Sequence, residues 1–305
     1  MAAAGLIPRV RRRSLGPRHV VGQRRWTPYL FMLPGLVLFA LMFGWPAFIS
    51  LQMSVSSYRI VTPVSFVGLQ NFVGLAGDPQ FHHAIANTFL FMAMFLPFAV
   101  VLPLFLAMLV NRPLRGIHAF RAAYYLPVVT SMVAVAVAWR YLLSQEGVLN
   151  WLLSLVGLGP IDFLLDTHWA LPALAIVEGW KNMGLFMVIY LAALQGVPRE
   201  QLEAATVDGA GAARRLWHIV LPAILPYVTV TLTLGMLEST RSFESIYVLT
   251  RGGPQDSTLT LGYYIWHIAF EKYDVGYASA AGLVLWLIMI ALALANQRLT
   301  RRRDA

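Results

Sequence analysis

Apolar positions fall into six long runs, at about 29–51, 86–110, 122–142, 168–197, 222–241 and 277–295, separated by shorter polar or basic stretches. Each approaches the roughly 20 residues a helix needs to cross a hydrocarbon core. The pattern therefore predicts six spanning helices. Pro97 and Pro103 lie inside the second run and predict kinks, whose freed carbonyls find partners on neighbouring helices. The apolar stretch 148–156 is too short to cross and predicts a helix lying at the interface. His82 and His83, the one adjacent histidine pair, fall in the connection 54–84 and read as a solvated loop, because no third metal ligand stands at suitable spacing.

Composition agrees with the pattern. The chain has 305 residues, 58% of them apolar and 12% charged, with a mean hydropathy of +0.65, which is too apolar for a soluble globule of this size. A net charge of +9 would suit nucleic acid only if the basic residues shared one face, and they sit in separate clusters instead. Seven arginines lie before residue 26, three at 112–121, three at 199–215 and four from Arg298 onwards, so 17 of the 23 Lys and Arg alternate with the apolar runs. Basic clusters stay on the cytoplasmic side of a membrane. Both termini are therefore expected inside, and the connections 54–84 and 144–167 outside. The implied organisation is a basic arm at 1–28, a membrane domain at 29–298 and a basic tail at 299–305. A secretory signal peptide is the alternative for the start, but 29–51 is longer than a usual signal core and has no clear cleavage site. The chain has no cysteine, hence no disulfide or thiolate chemistry.

Candidate chemistry is intramembrane. The fourth run carries Glu178, Lys181 and Asn182, and the fifth ends in Glu238, Ser239, Arg241 and Ser242, followed by Tyr247. Such a set suits hydrogen bonding to a polyhydroxyl ligand beside an aromatic ring. The alternative is structural: Glu178 with Lys181, and Glu238 with Arg241, are three apart and suited to ion pairs that only hold helices together. No nucleotide-binding loop is present. The two lysines, Lys181 and Lys272, do not follow a glycine as a P-loop requires, and no catalytic or metal motif occurs. No cofactor is expected on this chain.

The stretch 198–222 is the long polar-to-basic excursion between two apolar runs. Pro198 can open a helix over 199–207, Asp208-Gly209 breaks it, and a second short helix is expected from Gly211 to Val220 before Pro222 opens the next run. Ala204, Ala205, Ala210 and Ala212 permit close approach to a partner, with Leu202, Trp217 and Ile219 for apolar contact. An ordinary amphipathic loop is the other reading of these residues.

Here the chain resembles a family. Glu203, Ala204, Ala205, Gly209, Ile219, Leu221 and Pro222 closely match the EAA loop of ABC importer permeases. Phe66-Val67-Gly68-Leu69-Gln70-Asn71-Phe72 is similar to a segment of its sugar permeases, and Leu249-Thr250-Arg251-Gly252-Gly253-Pro254 resembles the L-T-x-G-G-P that marks carbohydrate-type members. The resemblance implies an all-α integral membrane protein with six transmembrane helices and a cytoplasmic EAA coupling loop, the type I importer permease fold. It implies that this loop, with Asp208, Ala210, Gly211 and Trp217, docks on a cytoplasmic ATPase dimer that binds ATP and Mg. It further implies a second permease subunit as heterodimer partner, an extracytoplasmic sugar-binding protein, and the inner membrane of a bacterial or archaeal cell. Substrate would be a di- or oligosaccharide, polyol or glycerol phosphate, and the family favours Glu178, Asn182, Ser239 and Ser242 as contacts. The rivals are an importer of another substrate class, which lacks the L-T-x-G-G-P segment, and an ion-coupled transporter, which should show internal repeats.

Overall fold

The computed structural model describes residues 26–59, 64–111 and 116–301. Most of the basic arm, Arg112 and Arg115, and residues 302–305 of the tail lie outside them. The chain divides into two compact units, 1–49 and 50–305.

The first unit carries α1 (Thr27–Phe39), a five-residue π-turn and the start of α2 (Trp45–Ser54). The turn is closed by the Trp45 amide on the Ala40 carbonyl, five residues back. Pro46 follows at once; its ring would strike the carbonyl four residues earlier, and a widened turn moves that carbonyl aside. The same pairing recurs at Leu216–Val220, where the Leu221 amide reaches the Leu216 carbonyl and Pro222 follows. The large apolar side chains of α1, such as Leu33, Leu36 and Phe39, are exposed, as on a lipid-facing helix.

The second unit opens with a short antiparallel ribbon, β1 (Ser56–Ser57) paired with β2 (Ser65–Phe66), then α3 (Gln70–Gly77). Next comes α4 (Pro79–Val110), which starts earlier than its hydropathy suggested, so His82 and His83 stand exposed on its first turns rather than in a loop. The cause is Asp78, whose carboxylate accepts the Gln80 amide at 2.8 Å as an N-cap in front of Pro79. Burial opposes ionisation of Asp78, but hydrogen bonds from the Tyr264 hydroxyl at 2.6 Å and from nearby amides outweigh it and hold the carboxyl below its usual range. Pro97 and Pro103 sit within α4 without ending it.

The third run is not one straight span. It forms α5 (Ile117–Val129) and α6 (Met132–Leu142), which meet at 103°. Thr130 and Ser131 are extended between them, the second as N-cap of α6; β-branched and hydroxylic residues at 128–131 resist the helical conformation just past Pro127. The chain continues through α7 (Val148–Leu155), α8 (Ala170–Gln195), α9 (Arg199–Val207), α10 (Ala212–Arg215), α11 (Leu221–Thr240), α12 (Glu244–Leu249), α13 (Leu261–Trp266) and α14 (Val275–Arg301). Among the described residues five helices are long and apolar enough to cross a membrane, or six if the bent α5–α6 pair counts as one span. The expected short helix at 211–220 is real but does not stop at Pro222: α10, the π-turn and α11 run on as one rod. The last helix extends to Arg301, into what composition assigned to the tail.

At the centre α8 packs between α4, α5 and α11. Close approach depends on missing side chains. A Cβ on Gly179 would lie 2.4 Å from the Phe98 ring, and one on Gly184 would lie 2.2 Å from the Tyr124 carbonyl of α5. One apolar cluster gathers Phe91, Phe95, Leu174 and Phe186; a second gathers Val110, Met187, Tyr190, Leu194 and Ile224. Tyr190 and Thr231 join α8 to α11 through their hydroxyls, while Asn296 of α14 donates to the Thr229 carbonyl at 3.1 Å and to the Thr233 hydroxyl at 2.7 Å.

Gly184→Val is expected to force α5 off α8 and cost about 1–3 kcal/mol, read as a lower melting temperature of the detergent-solubilised protein. Gly282→Ala, with open space at its Cβ, is expected to stay within about 0.5 kcal/mol of the parent. Equal effects would contradict this packing.

Candidate functional site

The bend between α5 and α6 carries Met132 beside α8 and the end of α11. Met132, Glu178, Lys181, Asn182, Glu238, Arg241, Ser242, Phe243 and Glu244 line a cavity of about 230 Å³ there. Six of the eight intramembrane residues picked out by sequence are thus brought together. Ser239 is not among them: it is fully buried, and its hydroxyl donates to the Met236 carbonyl at 2.9 Å within its own helix. Tyr247 stands outside the cavity, one turn beyond Phe243, with ring centroids 5.4 Å apart.

The expected ion pairs do not form. Among the described residues the one ion pair of a Lys or Arg is Arg59–Asp274, and Asp166–His168 and His267–Glu271 are ion pairs only when the imidazole is protonated; neither Glu178–Lys181 nor Glu238–Arg241 is one. Glu178 turns instead across to the start of α12 and the break before it, where its carboxylate accepts the hydroxyls of Ser245 and Ser242. The reason is geometric. The break after Thr240 brings two hydroxyls against α8, Ser242 in the break itself and Ser245 in the first turn of α12, and a buried carboxylate takes short donors in place rather than a long flexible cation. Asn182 donates to the Glu178 carbonyl at 3.0 Å. Lys181, Glu238, Arg241 and Glu244 thus face the cavity without an ion-pair partner. Sequence reasoning missed Phe243, Glu244 and Ser245; the i, i+3 spacing of Ser242 and Ser245 was the available signal.

The 198–222 stretch is a helix, a tight turn and a second helix. Helix α9 follows Pro198, which is extended as N-cap. At its end the Gly209 amide reaches the Thr206 carbonyl at 3.1 Å and the Ala210 amide reaches the Ala205 carbonyl at 2.8 Å. Those two bonds make a Schellman turn, and Gly209, at φ +77°, is its left-handed residue. Arg215 donates to the Thr206 hydroxyl and ties the second helix to the first. Glu203, Ala204, Asp208, Gly211, Trp217 and Pro222 are exposed, Val207 is 88% exposed, and Ala205 and Ala210 are half-buried. Leu202 and Ile219, expected on the docking face, pack instead against the second apolar cluster. They fix the knob to its own chain, which leaves Trp217 and Val207 as its exposed apolar groups.

Beyond the cavity, loop 250–260 is fastened to α4. Asn87 donates to the carbonyls of Asp256 at 2.9 Å and Leu259 at 3.2 Å, and Gln80 donates to the Asp256 carboxylate at 3.0 Å. The Gly-Gly-Pro turn thus lies in a fixed frame. Among the described residues no cluster of three potential metal ligands occurs.

Residues 76–305 match the family described as binding-protein-dependent transport system inner membrane component. The chain belongs to that family. Its relatives include the lactose transport system permease protein of Rhizobium radiobacter, 33% identical over 284 residues, spanning 90% of this chain and 94% of the relative. A bacterial ABC transporter involved in the import of the acidic polysaccharide alginate superposes with a TM-score of 0.78 at 29% identity, over 91% of this chain and 96% of that one. The bacterial alginate transporter in complex with its alginate pentasaccharide-bound periplasmic protein gives 0.76 at 28% identity, over 91% and 94%. The type I ABC importer permease fold expected from the sequence is therefore the fold of this permease.

Ser242→Ala with Ser245→Ala leaves the Glu178 carboxylate without its side-chain donors, and the permease is expected to lose roughly 1–3 kcal/mol for the unsatisfied group, read as a lower melting temperature. Adding Glu178→Met is expected to recover part of that loss, since a well-packed apolar group replaces the orphaned acid. A triple variant less stable than the double one would show that Glu178 has other partners.

Proposed function

We propose that this permease is one of two membrane subunits of an ATP-driven, binding-protein-dependent importer of a carbohydrate, working by alternating access. The observation that carries the reading is the exposed α9 knob. It is a helix closed by a left-handed glycine, bearing the EAA residues, and set directly on the rod that ends at the charged cavity. A push on α9 passes through the hydrogen-bonded turn at Gly209 into α10 and α11, which run on as one rod to the cavity. In this reading Glu203, Ala204, Ala205, Asp208, Gly209 and Trp217 meet a cytoplasmic ATPase dimer that holds ATP and Mg. Its closure shifts the permease between two states, as differential contacts with each state require.

Support for the carbohydrate class comes from the similarity to the lactose and alginate transporters and from the L-T-x-G-G-P segment. An extracytoplasmic binding protein would deliver substrate to the outer loops, as the periplasmic protein sits with the alginate transporter. The second permease subunit would close the open side of the cavity. Glu178, Lys181, Asn182, Glu238, Arg241 and Ser242 form the substrate pathway, with Glu178 positioning α12 rather than meeting substrate directly. The distribution of Lys and Arg supports a cell membrane location with both termini in the cytoplasm.

The test is ATP hydrolysis by this permease with its co-purifying partners in lipid nanodiscs, with binding protein added, against disaccharides, oligosaccharides, polyols and glycerol phosphates. Stimulation by a sugar is expected, and stimulation by non-sugars alone would overturn the substrate class. Gly209→Pro, or Ala204→Phe on the exposed face of α9, is expected to abolish that stimulation while membrane insertion is unchanged. Normal stimulation in both variants would remove the coupling role.

A further inference from the structure

A second cavity, of about 320 Å³, lies at the far end of α6 and shares no lining residue with the charged one. Arg140 in the last turn of α6, Gln145 and Asp162 line it with polar groups, and Phe163, Leu165 and Leu249 with apolar ones. Asn150, buried on α7, builds this arrangement. Its amide donates to the carbonyls of Ser144 and Ile161, both at 3.0 Å, and its side-chain oxygen accepts the Ile161 amide at 2.8 Å. The two ends of the segment are thereby clamped together, and the Gln145 amide donates to the Asp162 carboxylate beside it.

The two charges at this cavity do not neutralise each other. Arg140 and Asp162 are both exposed and form no ion pair, and Arg140 makes no hydrogen bond among the described residues. Gln145 occupies Oδ1 of Asp162, and Oδ2 accepts nothing among the described residues. One cation and one anion held apart complement a ligand that carries both signs. The surrounding aromatic residues mark the depth. Tyr141 follows Arg140, Trp151 on α7 is 59% exposed, and the ring of Trp169, just ahead of α8, lies 6.2 Å from Phe163. Tyr and Trp in such a group belong to a membrane–water interface. Helix α7 also exposes Val148, Leu152 and Leu155, as a helix lying among head groups does.

We propose that this cavity binds a membrane phospholipid with a primary amine head group, phosphatidylethanolamine, its phosphate on Arg140 and its ammonium on Asp162. A guanidinium gives a phosphate two parallel N–H bonds. The ammonium donates to the carboxylate oxygen that Gln145 leaves open. Leu165, 76% exposed, and Phe163 meet the glycerol and the start of the acyl chains. A net negative head group fits less well, because the connection 144–167 carries Glu146, Asp162 and Asp166 and no Lys or Arg. A choline head group supplies the phosphate but has no N–H to give Asp162.

The test is native mass spectrometry of the permease with its co-purifying partners, titrated in detergent with phosphatidylethanolamine, phosphatidylcholine or phosphatidylglycerol of identical acyl chains. Lipids of the general belt bind parent and variants alike, so the difference between them isolates this cavity. The parent is expected to hold phosphatidylethanolamine about three- to tenfold more tightly than the other two. Arg140→Gln is expected to weaken both phosphatidylethanolamine and phosphatidylcholine, which share the phosphate, while Arg140→Lys retains most of the binding. Asp162→Asn keeps an acceptor for Gln145 and is expected to lower phosphatidylethanolamine to the level of phosphatidylcholine, whose binding stays unchanged. Leu165→Gln alters an exposed side chain and reads the same site, by weaker phosphatidylethanolamine binding, if a charge variant fails to fold. Equal binding of the three lipids to the parent, a preference for phosphatidylglycerol, or phosphatidylethanolamine binding unchanged in the variants overturns the proposal.

Discussion

In hydrocarbon every backbone amide and carbonyl must be bonded within the protein, and most of this permease follows from how its prolines and polar residues meet that demand. Ahead of Pro46 and Pro222 the helix widens, at 40–44 and at 216–220, and the helical rod survives. Where proline is followed by β-branched and hydroxylic residues, at 127–131, the rod breaks by 103°. These two responses set the geometry of the site. The break carries Met132 to the cavity, and the widened turn lets α10, which follows the α9 knob, and the fifth span form one continuous rod.

The same demand governs side chains. Glu178 is a buried acid on a helix that packs on three sides, and it is accommodated by the hydroxyls of Ser242, just before α12, and Ser245, on it, rather than by Lys181 on its own helix. That choice joins α8 to the segment after α11 and leaves Lys181, Glu238, Arg241 and Glu244 available at the cavity surface. Charged groups held in this way have a use only if something polar occupies the cavity during the cycle. Close packing of α8 on its neighbours holds these groups in place, and Gly179 and Gly184 permit that approach.

Much of this was legible in the sequence, because hydropathy period and cation placement act over whole segments. The apolar runs that become long helices, the short helix at 148–155, the helix–turn–helix around Gly209 and six of the eight cavity candidates were all readable. Details that depend on tertiary partners were not. The partner of Glu178 lies more than sixty positions away, so local i, i+3 spacing pointed to Lys181 instead. Leu202 and Ile219 read as docking residues because nothing local showed the apolar cluster they complete. The fracture at 130 escaped notice because both halves are apolar, and the early start of α4 was hidden because His82 and His83 are polar and hydropathy ignores an N-cap. Arg140 and Asp162 are separated in sequence by α7, and only folding brings them to one cavity.

The central claim is that the exposed α9 knob meets an ATPase. Since the natural chain has no cysteine, a single Val207→Cys gives a unique position for a photoactivatable cross-linker at the knob, and Leu158→Cys gives one in the loop between α7 and α8. Cross-linked products from native membranes are then identified by mass spectrometry. The account predicts that Val207→Cys captures a protein bearing the G-x-x-x-x-G-K-[ST] loop, in a yield that changes with ATP, and that Leu158→Cys does not. Capture of that protein from Leu158→Cys, with none from Val207→Cys, would contradict it.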